Sequence, residues 1–194
     1  REVEILFQPQ FACDDGRVTG AEALVRWRRP DLGSLGAEAL FALAARSRHR
    51  TALSRYIVRT ALAAAAAWPA GLRLSLNVTA ADLATAGFPD MIAAALAETG
   101  FEPERLTLEI TEQTLVAELD RSAERLRLLA DLGVHVALDD FGAGFCNFGY
   151  LKRLPLHSLK LDRSMVEGIE DDARDLAVLR GILAMAQALG LEVL

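Results

Sequence analysis

Glu22, Asn77, Glu109 and Asp139 are oxygen donors that fall in four separate strand-like segments of this chain, and Lys160 falls in a fifth. Asn77, Glu109, Asp139 and Lys160 lie near the C-terminal ends of successive strands, on the polar face of each. Arg26 shares a strand face with Glu22, four residues on, ~13 Å at strand rise. Hard oxygen donors without histidine or cysteine suit Mg²⁺, Mn²⁺ or Ca²⁺. So many acids facing one another would repel, and without a cation some would have to be protonated. Asp139 is followed directly by Asp140, after the apolar run Val136-Ala137-Leu138 and ahead of a glycine-rich loop. Tandem carboxylates can bridge two ions ~3.5–4 Å apart, as in two-metal phosphoryl-transfer sites. Lys160 would then hold the attacking water or stabilise charge developing on phosphate, and Arg26 would hold a phosphate. The alternative is structural: Lys160 and Arg26 neutralise Glu22, Glu109 and Asp139 in an internal ion-pair network. One such residue would not separate the two readings; five at matching strand ends favour the site.

The elements that must position these residues alternate. Two strands flank the turn Asp14-Asp15-Gly16, a good hairpin signal that makes them antiparallel. Helices are predicted over Ala37–Arg46 and Ala52–Trp68, then a strand over Leu72–Thr79 and a helix over Pro89–Glu98. A strand over Arg105–Glu112, a helix near Glu118–Leu132 and a strand over His135–Asp140 follow. A loop and short helix lead to a strand at Ser158–Asp162, a helix over Asp172–Leu189 and the start of a strand in the last four residues. Strand-helix alternation implies right-handed crossovers and a parallel sheet.

Each central strand has one aliphatic face and one small or polar face. Leu72, Leu74, Leu76 and Val78 oppose Arg73, Ser75, Asn77 and Thr79, and Leu106, Leu108 and Ile110 oppose Thr107, Glu109 and Thr111. An open sheet covered by helices on both faces would read as continuous apolar runs. A barrel with helices outside and polar side chains within fits better, and its active site lies at the C-terminal strand ends. No linker or low-complexity tract interrupts the 194 residues, so a single domain is expected.

Composition narrows the function. A net charge of −6 argues against a protein that coats long nucleic acid, though not against a small phosphorylated ligand at a local cationic or metal-loaded site. Cys13 and Cys146 form no metal or disulfide spacing, and the histidines at 49, 135 and 157 are scattered. No signal peptide or membrane span is visible, so a cytoplasmic setting is expected. Asp140-Phe141-Gly142 stands without the other motifs of a protein kinase. The loop Gly142–Gly149 does not fit a dinucleotide fingerprint.

Five ordered blocks carry a resemblance: Ala21–Trp27 (AEALVRW), Leu76–Leu83 (LNVTAADL), Leu108–Glu112 (LEITE), Ala137–Phe145 (ALDDFGAGF) and Tyr150–Val166 (YLKRLPLHSLKLDRSMV). In that order they resemble the signatures of EAL-domain cyclic di-GMP phosphodiesterases, with Glu22-Ala23-Leu24 as the eponymous triplet. The resemblance implies a modified TIM-type (β/α)8 barrel with an antiparallel first strand. It implies hydrolysis of cyclic di-GMP to linear pGpG with Mg²⁺ or Mn²⁺. Glu22, Asn77, Glu109 and Asp139 resemble ligands of a first ion, and Asp139 and Asp140 those of a second. Lys160 resembles the residue that contacts the hydrolytic water. Gln8, Leu24 and Arg26 resemble substrate-binding residues, and Glu112 the glutamate that anchors the loop after Asp140. Expected partners are cyclic di-GMP, a second copy of the chain, and an attached sensor or GGDEF (diguanylate-cyclase) domain through which a longer protein could reach a membrane.

The chain departs from the family pattern in places. Ala143, Cys146 and Asn147 replace Thr and Ser-type residues in the loop, and Ala45 stands where an acid is common. The family continues beyond Leu194 with a glutamate of the second metal site and a final strand. The expectation is an EAL domain truncated before its last strand or strands, and unstable and inactive as a bare 194-residue polypeptide. The competing functional reading is an inactive EAL domain that serves as a cyclic di-GMP receptor or a protein-interaction module.

Overall fold

The Asp-Asp-Gly turn forms as expected: the Ala12 amide donates to the Arg17 carbonyl at 2.8 Å, and Gly16 takes the left-handed backbone (φ 68°) that closes the turn. The strands on either side, β1 (Val3–Phe11) and β2 (Val18–Arg29), pair antiparallel. The computed structural model describes residues 2–29, 33–112, 114, 119–143, 148–169 and 172–194, without the side chains of Ser34, Phe148 and Tyr150. The further strands are β3 (Gly33–Leu35), β4 (Arg73–Asn77), β5 (Leu106–Thr111), β6 (His135–Phe141), β7 (Ser158–Leu161) and β8 (Glu192–Val193). The helices are α1 (Ala37–Arg46), α2 (Arg50–Ala65), α3 (Ala80–Ala84), α4 (Phe88–Thr99), α5 (Leu119–Asp131), α6 (Phe148–Arg153) and α7 (Ala173–Ala188).

The chain packs as two compact units, Arg1–Asn77 with Gly87–Thr107, and Val78–Ala86 with Leu108–Leu194. In the first, β2 is the central strand: antiparallel to β1 and β3 and parallel to β4. Val25, Leu40 and Ile57 form a core there, with Val3, Ile5, Trp27 and Phe41 packed against it. Helix α2 ends at Ala65, ahead of the predicted Trp68. Its last amides switch to tighter i→i−3 bonds, Ala67 to Ala64 and Trp68 to Ala65, because the residue before Pro69 is pushed out of helical backbone. Helix α4 begins with Pro89 in its first turn and ends at left-handed Gly100, as the sequence predicts.

In the second unit, β6, β7 and β8 pair in parallel order. Helix α5 buries Ser122, Ala123, Leu126 and Leu129, a stripe at helical spacing. The Arg125 guanidinium donates to the Leu83 carbonyl, tying α5 to α3. Helix α3 was not anticipated, yet its signal is local. Thr79 and Asp82 form a reciprocal capping box: the Asp82 amide donates to Thr79 Oγ1 at 3.2 Å and the Thr79 amide to Asp82 Oδ2 at 3.0 Å. Strand β5 is buried through Ile110, including the polar positions Thr107 and Glu109. Its polar face is therefore an interior face, not a solvated one. Among the described residues no helix is long and apolar enough to cross a membrane.

Candidate active site

Strand pairing in the first unit assembles one half of the predicted constellation. Gln8 lies directly opposite Glu22, Leu6 opposite Leu24, and Glu4 opposite Arg26. Opposed residues share a sheet face, so Gln8, Glu22, Leu24 and Arg26 lie together on one face of the hairpin. Gln8 is exposed, and Glu22, Leu24 and Arg26 are half-buried. Asn77, at the C-terminal end of β4, donates from Nδ2 to Glu22 Oε1 at 2.7 Å. Arg26 Nη1 donates to the Val25 carbonyl at 3.0 Å.

The second unit brings together three further predicted residues. The Lys160 ammonium lies between two carboxylates, 2.6 Å from Glu109 Oε2 and 3.1 Å from Asp139 Oδ2. The Glu109 side chain is wholly buried, and those of Lys160 and Asp139 are 17% exposed. A buried carboxylate must be paired, and Lys160 supplies the pairing. The Val78 amide donates to the Glu109 carbonyl at 2.8 Å, holding that strand end in place.

The tandem acids sit on an irregularity that sequence reading missed. Leu138 pairs with Leu159 and Phe141 with Leu161, so β6 spends one more residue than β7 over the same span. This is a β-bulge at Asp139-Asp140, opposite Lys160. On a regular strand the two carboxylates would point to opposite faces; the bulge suspends that alternation and re-aims them. Asp140 adopts left-handed backbone (φ 55°), and its amide donates to Asp139 Oδ1 at 2.9 Å. Asp has the short polar side chain best tolerated there.

Glu112 follows β5 directly and is half-buried. The loop that it is expected to anchor falls largely on residues 144–147, which lie outside the described residues, and so do the departures at Cys146 and Asn147. Ala143 is exposed after the bulge, and Ala45 is exposed on α1. Asp162, which received no role in the sequence reading, caps a single 3₁₀ turn over Arg163–Met165 by accepting from the Ser164 amide at 2.9 Å. The Ser164 hydroxyl and amide hold its carboxyl below the usual carboxylate value.

The first unit offers the Glu22 carboxylate and the Asn77 amide, and the second the Glu109 and Asp139 carboxylates. Such a donor set fits hard divalent cations and not soft or imidazole-seeking metals.

The sequence and the fold both have relatives. The chain is 37% identical over 196 residues to "Cyclic di-GMP phosphodiesterase NbdA" of Pseudomonas aeruginosa, covering 99% of this chain and 25% of that protein. It is 36% identical over 192 residues to an "Uncharacterized signaling protein" of Caulobacter vibrioides, covering 99% of this chain and 24% of that one. It thus spans about a quarter of the length of these curated relatives. Among solved structures, "PaMucR Phosphodiesterase, c-di-GMP complex" superposes with a TM-score of 0.88 at 31% identity, over 99% of this chain and 79% of that one. The fold class is therefore the modified TIM-type α/β barrel with an antiparallel first strand that the five blocks imply, its sheet unclosed among the described residues. With the EAL domain family model matching residues 1–194, the whole of the sequence, the chain belongs to the EAL domain family.

Proposed function

We propose that the full-length protein carrying this chain hydrolyses cyclic di-GMP to linear pGpG using Mg²⁺ or Mn²⁺. The observation that carries the reading is Lys160, held between Glu109 and Asp139 opposite the Asp139-Asp140 bulge. Family membership and retention of every ligand-type residue up to Leu194 support it, as do relatives named as cyclic di-GMP phosphodiesterases. Glu22, Asn77, Glu109 and Asp139 would hold one ion, and Asp139 with Asp140 a second. When bound, such ions polarise phosphate oxygens and lower the pKa of a water.

The chain's own residues do the rest. Asn77 gives its Nδ2 to Glu22, which leaves the amide oxygen to face a cation. Lys160 neutralises two acids that would otherwise repel, and its ammonium positions the attacking water. Arg26 binds a phosphate oxygen, and Gln8 and Leu24 contact the rest of the dinucleotide. Glu112 anchors the loop after Asp140. The water oxygen adds to phosphorus, one ester P–O bond breaks, and the leaving oxygen ends as a hydroxyl. The homodimer and an attached sensor or GGDEF domain belong to this proposal. One relative, MucR of Pseudomonas aeruginosa, is named as a bifunctional diguanylate cyclase and phosphodiesterase.

The test is cyclic di-GMP turnover by the full-length protein with Mg²⁺, with Mn²⁺ and with chelator, read by separation of pGpG. Metal-dependent pGpG is the expected result. Tight binding of the dinucleotide without product would establish the receptor reading in its place.

A further inference from the structure

Asp140 occupies a backbone region that non-glycine residues keep only when their surroundings hold them there. Within the second unit, the segment that follows it is held from the β7 side. The Phe141 ring is fully buried, and the Phe141 carbonyl accepts from the Asp162 amide at 3.0 Å. Gly142 comes next at φ 101°, directly under the Met165 side chain: a Cβ on Gly142 would lie 2.5 Å from Met165 Cγ and Sδ. Gly142 has no side chain of its own to anchor it, so its position depends on what packs on its backbone.

Met165 has no place in the constellation described above. It ends the 3₁₀ turn that begins three residues past Lys160, and its amide donates to the Asp162 carbonyl at 2.9 Å. The same short turn thus ties Met165 to the Lys160 strand and seats its thioether on the backbone two residues past Asp140. Beside it lies an apolar cavity of about 450 Å³, lined by Phe141, Val178, Ile182 and Met185 among others. A shortened residue 165 would enlarge that void and leave Gly142 uncovered. An unbranched thioether suits such a place, because it moulds to irregular surfaces.

We infer that Met165 is a positioning residue: it sets where the Asp139-Asp140 bulge sits relative to Lys160. The inference deepens the phosphodiesterase reading and rests on it for its catalytic consequence.

The test uses the full-length protein that carries this chain, with Met165→Ala and Met165→Leu. Hydrogen exchange is read over residues 139–143, with Mn²⁺ titration and steady-state kinetics beside it. In Met165→Ala, exchange over 139–143 should rise about tenfold while α5 stays unchanged. Mn²⁺ affinity and kcat should each fall about tenfold, with KM for cyclic di-GMP unchanged. Met165→Leu, close in volume, should restore all three. Unchanged exchange in Met165→Ala, or no recovery in Met165→Leu, overturns the inference. A wild-type chain that binds no Mn²⁺ and yields no pGpG defeats the phosphodiesterase reading instead, and the exchange comparison still decides whether Met165 holds the bulge.

Discussion

In the first unit an acid meets an amide near solvent: Glu22 is half-buried, Asn77 is exposed, and one hydrogen bond of 2.7 Å joins them. In the second, a cation is wedged between two acids, and Glu109 has no exposed side-chain surface. The same kind of donor is therefore held in two ways. The first pair lies nearer solvent, where water can replace a lost contact. The second group contains its own neutralisation, and removal of one member leaves a buried charge uncompensated. Stability and activity should consequently be separable in the first unit and coupled in the second.

Lys160→Ala gives the largest expected effect. It should abolish turnover and also destabilise the fold by about 3–5 kcal/mol, because Glu109 would lose its buried partner. Denaturant unfolding beside the pGpG assay checks both, and a variant as stable as wild type would break the comparison. Glu109→Gln keeps the shape and removes the charge, so turnover should vanish with a smaller stability loss than Lys160→Ala produces; equal losses would show that the charge is not what Lys160 serves.

Glu22→Ala and Asn77→Ala sharpen the contrast. Each should lower turnover by at least a hundredfold while costing less stability than Lys160→Ala, because water reaches both positions and can replace the lost partner. Arg28→Ala is the smallest. Arg28 pairs with Glu4 at 2.5 Å, but its side chain is 66% exposed, so stability should change by less than about 1 kcal/mol and turnover should not change. Loss of turnover in Arg28→Ala equal to that in Lys160→Ala would contradict the site assignment.

Much of the candidate site's geometry was legible because its signals are local or periodic. The turn Asp14-Asp15-Gly16 announced the hairpin, and the pairing of Gln8 with Glu22 and of Leu6 with Leu24 follows from its register. Strand parity put Glu22, Leu24 and Arg26 on one face of β2 and separated Glu109 from Leu108 and Ile110. Family resemblance added roles for Gln8, Leu24 and Glu112 that parity alone does not supply. Helix α3 was missed although its Thr79 and Asp82 capping pair stands in the sequence.

The tandem acids mark the other side of the division. Their identity and their place after Val136-Ala137-Leu138 were plain, but strict alternation sends Asp139 and Asp140 to opposite faces. Only the pairing of β6 with β7 shows that one residue bulges, and that Lys160 stands opposite. The depth of Glu109, the left-handed backbone of Asp140 and the cover that Met165 gives Gly142 belong to the same class. The sequence by itself determined which side chains carry charge, where strands and turns begin, and which residues share a strand face, since these follow from chain-local sterics and period. The tertiary structure alone decided which acid is buried, which cation neutralises it and where the strand breaks step, because each depends on residues distant in the chain.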